Sequence, residues 1–180
     1  MDIRIRHVEP RDAADIEAIL TDTSVMLGTM RLPFANDTSV ENRITPADGV
    51  YELVAEVDGE VVGFSIMTTY PDIPHHNHLG DIDLVVVRSD FQGKGITKAL
   101  LGAALDLADN WLQLERKGLL VWSDNERAIR LYEAFGFKTE GTIKRFARRP
   151  GGFADATQMG RFEKSYKMLS KDGCEAARSV

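Results

Sequence analysis

Cysteine is almost missing from this chain. Cys174 is the one cysteine in 180 residues, so neither an internal disulfide nor a cysteine metal site can form. No apolar run approaches the length that crosses a bilayer, and Met1-Asp2-Ile3-Arg4 resembles neither a signal peptide nor a transit sequence. A basic excess is also absent. The net charge of −6 argues against a nucleic-acid binder, and any polyanionic ligand must be held locally, by N–H groups and a few nearby cations. There is no G-x-G-x-x-G fingerprint, since Thr97 and Lys98 stand where its third glycine should come, and no G-x-x-x-x-G-K-[ST] loop. With 43% apolar and 28% charged residues, the chain has the proportions of one globular domain, most simply cytoplasmic.

The stretch that is most informative runs from Asp81 to Ala108. Ile82 to Val87 is apolar, β-branched and continuous enough for a buried strand. Leu100, Ala104, Ala108 and Trp111, with Leu101, Leu105 and Leu112 beside them, repeat at helical spacing. Between strand and helix lies Gln92-Gly93-Lys94-Gly95-Ile96-Thr97. A helix that begins there leaves its first N–H groups unpartnered, and the free donors and the helix dipole together favour an anion. Gly93 and Gly95 remove side chains where a phosphate would approach the backbone. The pattern predicts a pyrophosphate-cradling turn at the end of a strand that can lie beside an extended ligand.

The remaining elements follow in order. Ile3, Ile5 and Val8 predict a first strand ended by Pro10, and Asp12 is placed to cap a helix carrying Ala13, Ile16, Ile19 and Leu20. From Asp22 to Ala47 the pattern is irregular, with a short helix expected from Thr38 or Ser39 through Arg43. Tyr51 to Val57 and Glu60 to Thr69 flank Asp58-Gly59, a type I′ hairpin signal. The long helix is expected to end near Lys117-Gly118, followed by a buried strand at Leu119 to Trp122. Ser123-Asp124-Asn125 offers cap chemistry for a helix with Ala128, Leu131, Tyr132 and Phe135 on one face, stopped by Gly136. Lys138 to Ala147 and Phe153 to Phe162 read as a final hairpin.

Gln92-x-x-Gly95-x-Thr97 resembles the Q/R-x-x-G-x-G/A motif of the GNAT superfamily of acetyl-CoA-dependent N-acetyltransferases. Thr97 departs from it; the family prefers glycine or alanine there, and the threonine crowds the phosphate slightly. Asn125-x-x-Ala128-x-x-Leu131-Tyr132-x-x-x-Gly136-Phe137 matches the family's second signature, at the correct separation. The resemblance covers about Ile3 to Phe162. It implies an α/β domain of GNAT fold, a mixed and mostly antiparallel central sheet flanked by helices, over residues 1–163. Residues 164–180 would be a polar, fraying tail.

The resemblance also implies roles. Val85, Val86 and Val87 would line acetyl-CoA, a backbone N–H near Val86 or Val87 serving the thioester oxygen. Gln92, Gly93, Lys94, Gly95, Ile96, Thr97 and Lys98 would hold the diphosphate, with Arg130 a further cation in reach. Asn125 and Ala128 would meet the pantetheine arm, Asn125 serving equally as a plain helix cap. Tyr132 would protonate the departing thiolate, after direct attack by the amine in a ternary complex. Asp81 stands where several relatives carry a base, Asp83 lies on the same strand face, and a water relay without a dedicated base is the alternative. No metal is expected: His75, His76 and His78 crowd one loop without an acidic or cysteine partner at zinc spacing.

Asp109-Asn110-Trp111-Leu112, Glu140-Gly141-Thr142 and Phe153-x-Asp155-x-x-x-Met159 are similar to bacterial L-amino acid and phosphinothricin-type N-acetyltransferases. The implied acceptor is a small-molecule amine, a free amino acid or analogue. Leu32 and Phe34, with Met30 and Pro33, would meet its side chain, and Arg31 or Arg43 its carboxylate. Acetylation of a peptide or protein amine, or a non-catalytic CoA-binding module, are the alternatives. No nucleic acid or membrane partner is implied; relatives are often dimers, and the final hairpin would be a reasonable interface.

Overall fold

The structure, a computed structural model, describes residues 1–29, 44 and 46–162. The expected helix ending at Arg43, the acceptor residues Met30, Arg31, Leu32, Pro33, Phe34 and Arg43, and the tail with Cys174 lie outside the described residues.

The chain runs β1 (Arg4–His7), α1 (Ala13–Thr21), α2 (Thr23–Leu27), β2 (Val50–Val57), β3 (Glu60–Thr69), β4 (Leu79–Val87), α3 (Ile96–Asp106), β5 (Arg116–Trp122), α4 (Glu126–Ala134), β6 (Lys138–Arg149) and β7 (Gly152–Phe162). These strands make one seven-stranded sheet ordered β1-β2-β3-β4-β5-β7-β6. Every neighbouring pair is antiparallel except β4 with β5. The final hairpin therefore folds back so that its second strand, not its first, lies beside β5.

Each face of the sheet carries its own core. On one, α3 sets Leu100, Leu101, Ala104 and Leu105 against Leu53, Met67, Ile82 and Val87. On the other, α1 sets Ile16, Ile19 and Leu20 against Val54, Phe64, Ile66 and Val86. Each of those three α1 side chains is at most 1% exposed, worth about 1.5–3 kcal/mol apiece on burial.

Four expectations need correction. Asp12 holds the cap position of α1 but caps nothing there. Its carboxylate is occupied by the Arg6 guanidinium (2.7 and 2.8 Å) and the Glu9 N–H (2.7 Å). The stretch after Asp22 opens with α2, because Asp22 Oδ1 accepts from the Ser24 N–H at 2.8 Å.

The third correction concerns α3, which ends at Asp106 and passes into a π turn, Leu107–Trp111, well before Lys117. There the Leu112 N–H reaches Leu107 O (2.9 Å), and Gln113 adopts φ 52°. One extra residue in the turn advances later side chains by about 100°, which carries Trp111 off the apolar stripe to 77% exposure. Finally, β5 begins at Arg116. Lys117 is buried within it, its ammonium bound to Leu114 O (2.8 Å) and to Asp109 (2.6 Å), which also receives both Arg161 nitrogens (2.9 and 2.8 Å).

Candidate active site

The site exists because β4 and β5 part company. They pair only at Leu79↔Arg116, Gly80↔Lys117 and Asp81↔Gly118. Beyond that vertex β4 stays with β3 as far as Val87, while β5 stays with β7 as far as Trp122. A cleft of about 900 Å³ opens between them, with the β4 residues 82–87 on one wall and Leu120, Val121 and Trp122 on the other. β4 also carries a bulge opposite Ile66 and Met67, where Asp83 is the extra residue.

Ladder alternation decides which amides face the cleft. The Arg88 N–H donates to Val62 O at 2.9 Å, so the Arg88–Val62 pair exchanges hydrogen bonds. Alternate pairs do the same, which commits the amides of Val86 and Leu84 to Phe64 and Ile66 on β3. The N–H groups of Val85 and Val87 point away from β3, into the opening. Of the two amides expected as donors, that of Val87 is therefore free of β3, and that of Val86 is spent on it. Gln92 extends its amide toward Val87 O (3.4 Å), closing the end of this wall.

At the far end of β4 sits the glycine turn. Gly93 and Gly95 have φ 79° and 88°, left-handed values that a side chain would strain. The space where their Cβ atoms would lie is empty to 4 Å. The N–H groups of residues 93–98 donate to no backbone carbonyl among the described residues. Gly93, Gly95, Thr97 and Lys98 line the cleft. Lys94 does not; its ammonium lies over the Phe91 ring at 4.4 Å. Ile96 is 1% exposed, so only its backbone can take part.

The opposite wall is α4. Asn125 accepts from the Ala128 N–H at 3.1 Å, so the cap role is real, and both residues line the cleft. Tyr132 also lines it, half-buried, with its ring edge-on to Phe137 at 5.9 Å. Burial pushes its hydroxyl up to about 12, so it stays protonated at neutral pH. Arg130 lines the cleft while paired with Glu126 (3.0 Å), and Arg127, which the motifs did not single out, joins it there.

Asp81 is not in this cleft but in an adjoining cavity of about 360 Å³, where Asp83, Gly118, Leu120, Ile143 and Gln158 are its neighbours. Ile82, Asp83 and Leu120 belong to both spaces. The Tyr70 hydroxyl donates to Asp81 Oδ2 at 2.8 Å, and the Thr68 hydroxyl donates to Asp83. His75, His76 and His78 are exposed on the preceding loop, His76 edge-on to Tyr70. The final hairpin is tied down by Lys144 to Asp155 (2.8 Å) and Arg149 to Asp124. Its neighbour Phe146 packs edge-on to Trp122, whose indole N–H donates to Gly28 O at 2.9 Å; these form a mouth that no sequence motif announced.

A coenzyme A donor fits these parts. Free amides and open glycines suit a diphosphate, Lys98, Arg127 and Arg130 supply cations, and the wall of Val85 and Val87 offers amides to a pantetheine arm and thioester. The comparisons agree with that chemistry. The model of the acetyltransferase (GNAT) family matches residues 18–137. The L-amino acid N-acetyltransferase AaaT of Escherichia coli K12 is 35% identical over 160 residues, 89% of this chain and 98% of that one. The spermidine N(1)-acetyltransferase of the same organism is 24% identical over 91% of this chain and 88% of its own. Among solved structures, a GNAT-family acetyltransferase from Streptococcus pneumoniae superposes with a TM-score of 0.77 at 27% identity, covering 90% of this chain and all of that one. The yncA protein of Salmonella typhimurium, solved with its cofactor acetyl-CoA, gives 0.80 at 20% identity over 95% and 99% of the two chains. No described helix is long and apolar enough to cross a membrane. The splayed strands, the amide-rich turn and these likenesses converge: the chain belongs to the acetyltransferase (GNAT) family and is an acetyl-CoA-dependent N-acetyltransferase.

Proposed function

We propose that this enzyme acetylates the primary amine of a free L-amino acid or a close analogue. The observation that carries the reading is the junction of two spaces through one gap in the sheet. An amide-lined cleft meets a carboxylate-bearing cavity across Ile82, Asp83 and Leu120. The 35% identity to an L-amino acid N-acetyltransferase, over nearly the full length of both chains, supports this acceptor class.

Acetyl-CoA, when bound, supplies an activated thioester carbonyl. The turn at residues 93–98 holds the diphosphate, assisted by Lys98, Arg127 and Arg130. Val85 or Val87 donates its N–H to the carbonyl oxygen as that oxygen gains charge; one such donor is worth about two to four kcal/mol of barrier. Asp81 takes the proton that an ammonium must lose before it can attack. Tyr132, protonated at neutral pH, gives a proton to the departing sulfur. Leu120 and Ile143, both partly exposed in the amine cavity, suit an apolar side chain.

A second reading has its own support. The ionisable residues lining the amine cavity, among those described, are Asp81 and Asp83, which suits a polycation. A spermidine acetyltransferase is also among the relatives. A thiol-release assay with acetyl-CoA across free amino acids, polyamines, aminoglycosides and peptides decides between them. Highest kcat/KM on apolar amino acids is the expected result; a preference for polyamines would move the assignment, and turnover of peptides alone would sink it.

A further inference from the structure

Asp81 occupies the last β4–β5 pair before the strands separate, and its two oxygens are held by different means. Oδ2 accepts from the Tyr70 hydroxyl at 2.8 Å. Oδ1 lies against the backbone of Gly118: a Cβ built there would stand 2.2 Å from it, and 2.9 Å from Arg116 Nη1. The carboxylate therefore fills the space that any other residue at position 118 would need. We propose that Tyr70 and Gly118 are positioning residues that fix the Asp81 carboxylate at the vertex of the cleft, Oδ2 hydrogen-bonded to the tyrosine and Oδ1, seated over the glycine, left to accept the proton.

This rests on the reading of Asp81 as the proton acceptor. The physical argument is one of freedom removed. An aspartate at a strand vertex facing a cavity has several rotamers open to it, and a base must hold its oxygen within hydrogen-bond reach of the proton it takes. Tyr70 lies one residue beyond β3, where its hydroxyl can reach across to β4, and His76 packs against its ring at 6.4 Å. The same bond pushes the tyrosine hydroxyl up to about 12, so the donor keeps its proton throughout the neutral range. The neighbouring Arg116 guanidinium is bound through Nη2 to Glu140 on β6. Tyr70 also supports its own loop, as its carbonyl accepts from the Ile73 N–H (3.1 Å). That bond involves the backbone and survives loss of the hydroxyl.

The test is a double-mutant cycle on the full chain, with acetyl-CoA and the best amine from the panel. Tyr70→Phe and Gly118→Ala should each lower kcat about tenfold, with the KM for acetyl-CoA changed less than about twofold. In an Asp81→Asn background, Tyr70→Phe should cost nothing further, because the group it orients is gone. A merely structural tyrosine would instead add its full loss to that of Asp81→Asn, and this result would overturn the proposal. So would an unchanged kcat in Tyr70→Phe. If Asp81→Asn alone kept full kcat, the base assignment itself would fall, an outcome distinct from the failure of the positioning pair. A rise in melting temperature with acetyl-CoA in each variant shows that its cleft is folded; if Gly118→Ala lacks it, the Tyr70 arm of the cycle stands alone.

Discussion

The two ends of the active site are made differently. The donor end is made of backbone: six consecutive amides at residues 93–98, two glycines in left-handed conformations, and the amides of Val85 and Val87. The proposed acceptor end is made of side chains gathered from separate strands, Tyr70 after β3, Asp81 and Asp83 on β4, Gly118 on β5, Gln158 on β7. Backbone donors need no particular side chain, so the first end tolerates drift such as Thr97 and still presents its N–H groups. The second depends on identity at each position and on sheet register; a shift of one residue would turn Asp81 to the other face. It is the end free to change from one amine to another.

The sharpest test of that contrast is Tyr132, the donor-side residue proposed to give up a proton that no backbone group could supply. Tyr132→Phe should lower kcat about a hundredfold, within the range of general-acid catalysis. The KM for acetyl-CoA should barely move, since the amides remain. A large rise in KM with kcat preserved would show Tyr132 to be a wall of the cleft only, and the donor end would then be backbone throughout.

The sheet that carries both ends is covered on one face by α1, and just before that helix Asp12 is tied to Arg6 of β1. The Arg6 guanidinium holds the Asp12 carboxyl below its usual range, outweighing the opposing effect of burial. A folded value depressed below that of the unfolded chain gives stability that is complete above about pH 4 and drains away as pH falls through the folded value. Asp12→Asn should cost about 2 kcal/mol at neutral pH, and should flatten the acid limb of a melting-temperature profile. An unaltered limb would place the acid sensitivity elsewhere, with Asp109 next in line.

Legibility followed the same division. The turn at residues 93–98, the β2–β3 hairpin and the cap at Asn125 were readable because each is encoded by residues adjacent in the chain. Asp81 was singled out through the family resemblance, and neither its separate cavity nor its tyrosine partner could be read, because Tyr70 and Gly118 meet it only through register. Trp122 and Phe146 were missed for the same reason: they sit on different strands, β5 and β6, and meet only across the sheet. The end of α3 was misjudged because a π turn leaves the apolar spacing looking helical while rotating Trp111 away from it. Of the two amides expected to serve the thioester, only that of Val86 proved to be spent on β3, since spacing names a strand but only the ladder says which amides are used.

Gly95→Ala sharpens the backbone side. At φ 88° an alanine is strained, at a cost of about 1 kcal/mol. The turn can relieve that strain only by moving its amides. The KM for acetyl-CoA should rise about tenfold while kcat at saturation stays near wild type. The substitution Thr97→Gly should act oppositely and more weakly, restoring the smaller residue and lowering the same KM by a few-fold.

Asn125 tests where the two modes of construction meet, because it is both a side chain and a cap for backbone. Its Oδ1 accepts from the Ala128 N–H, while its amide nitrogen is the group that could reach a pantetheine. Asn125→Ala removes both and should lower stability by about 1 kcal/mol. Asn125→Asp keeps the acceptor, restores the cap, and lacks the amide donor. If the aspartate variant regains the melting temperature but keeps a raised KM for acetyl-CoA, the residue serves ligand and helix through separate atoms. If it regains both, the cap was the whole of its contribution, and α4 acts on the donor only by holding Tyr132 in place.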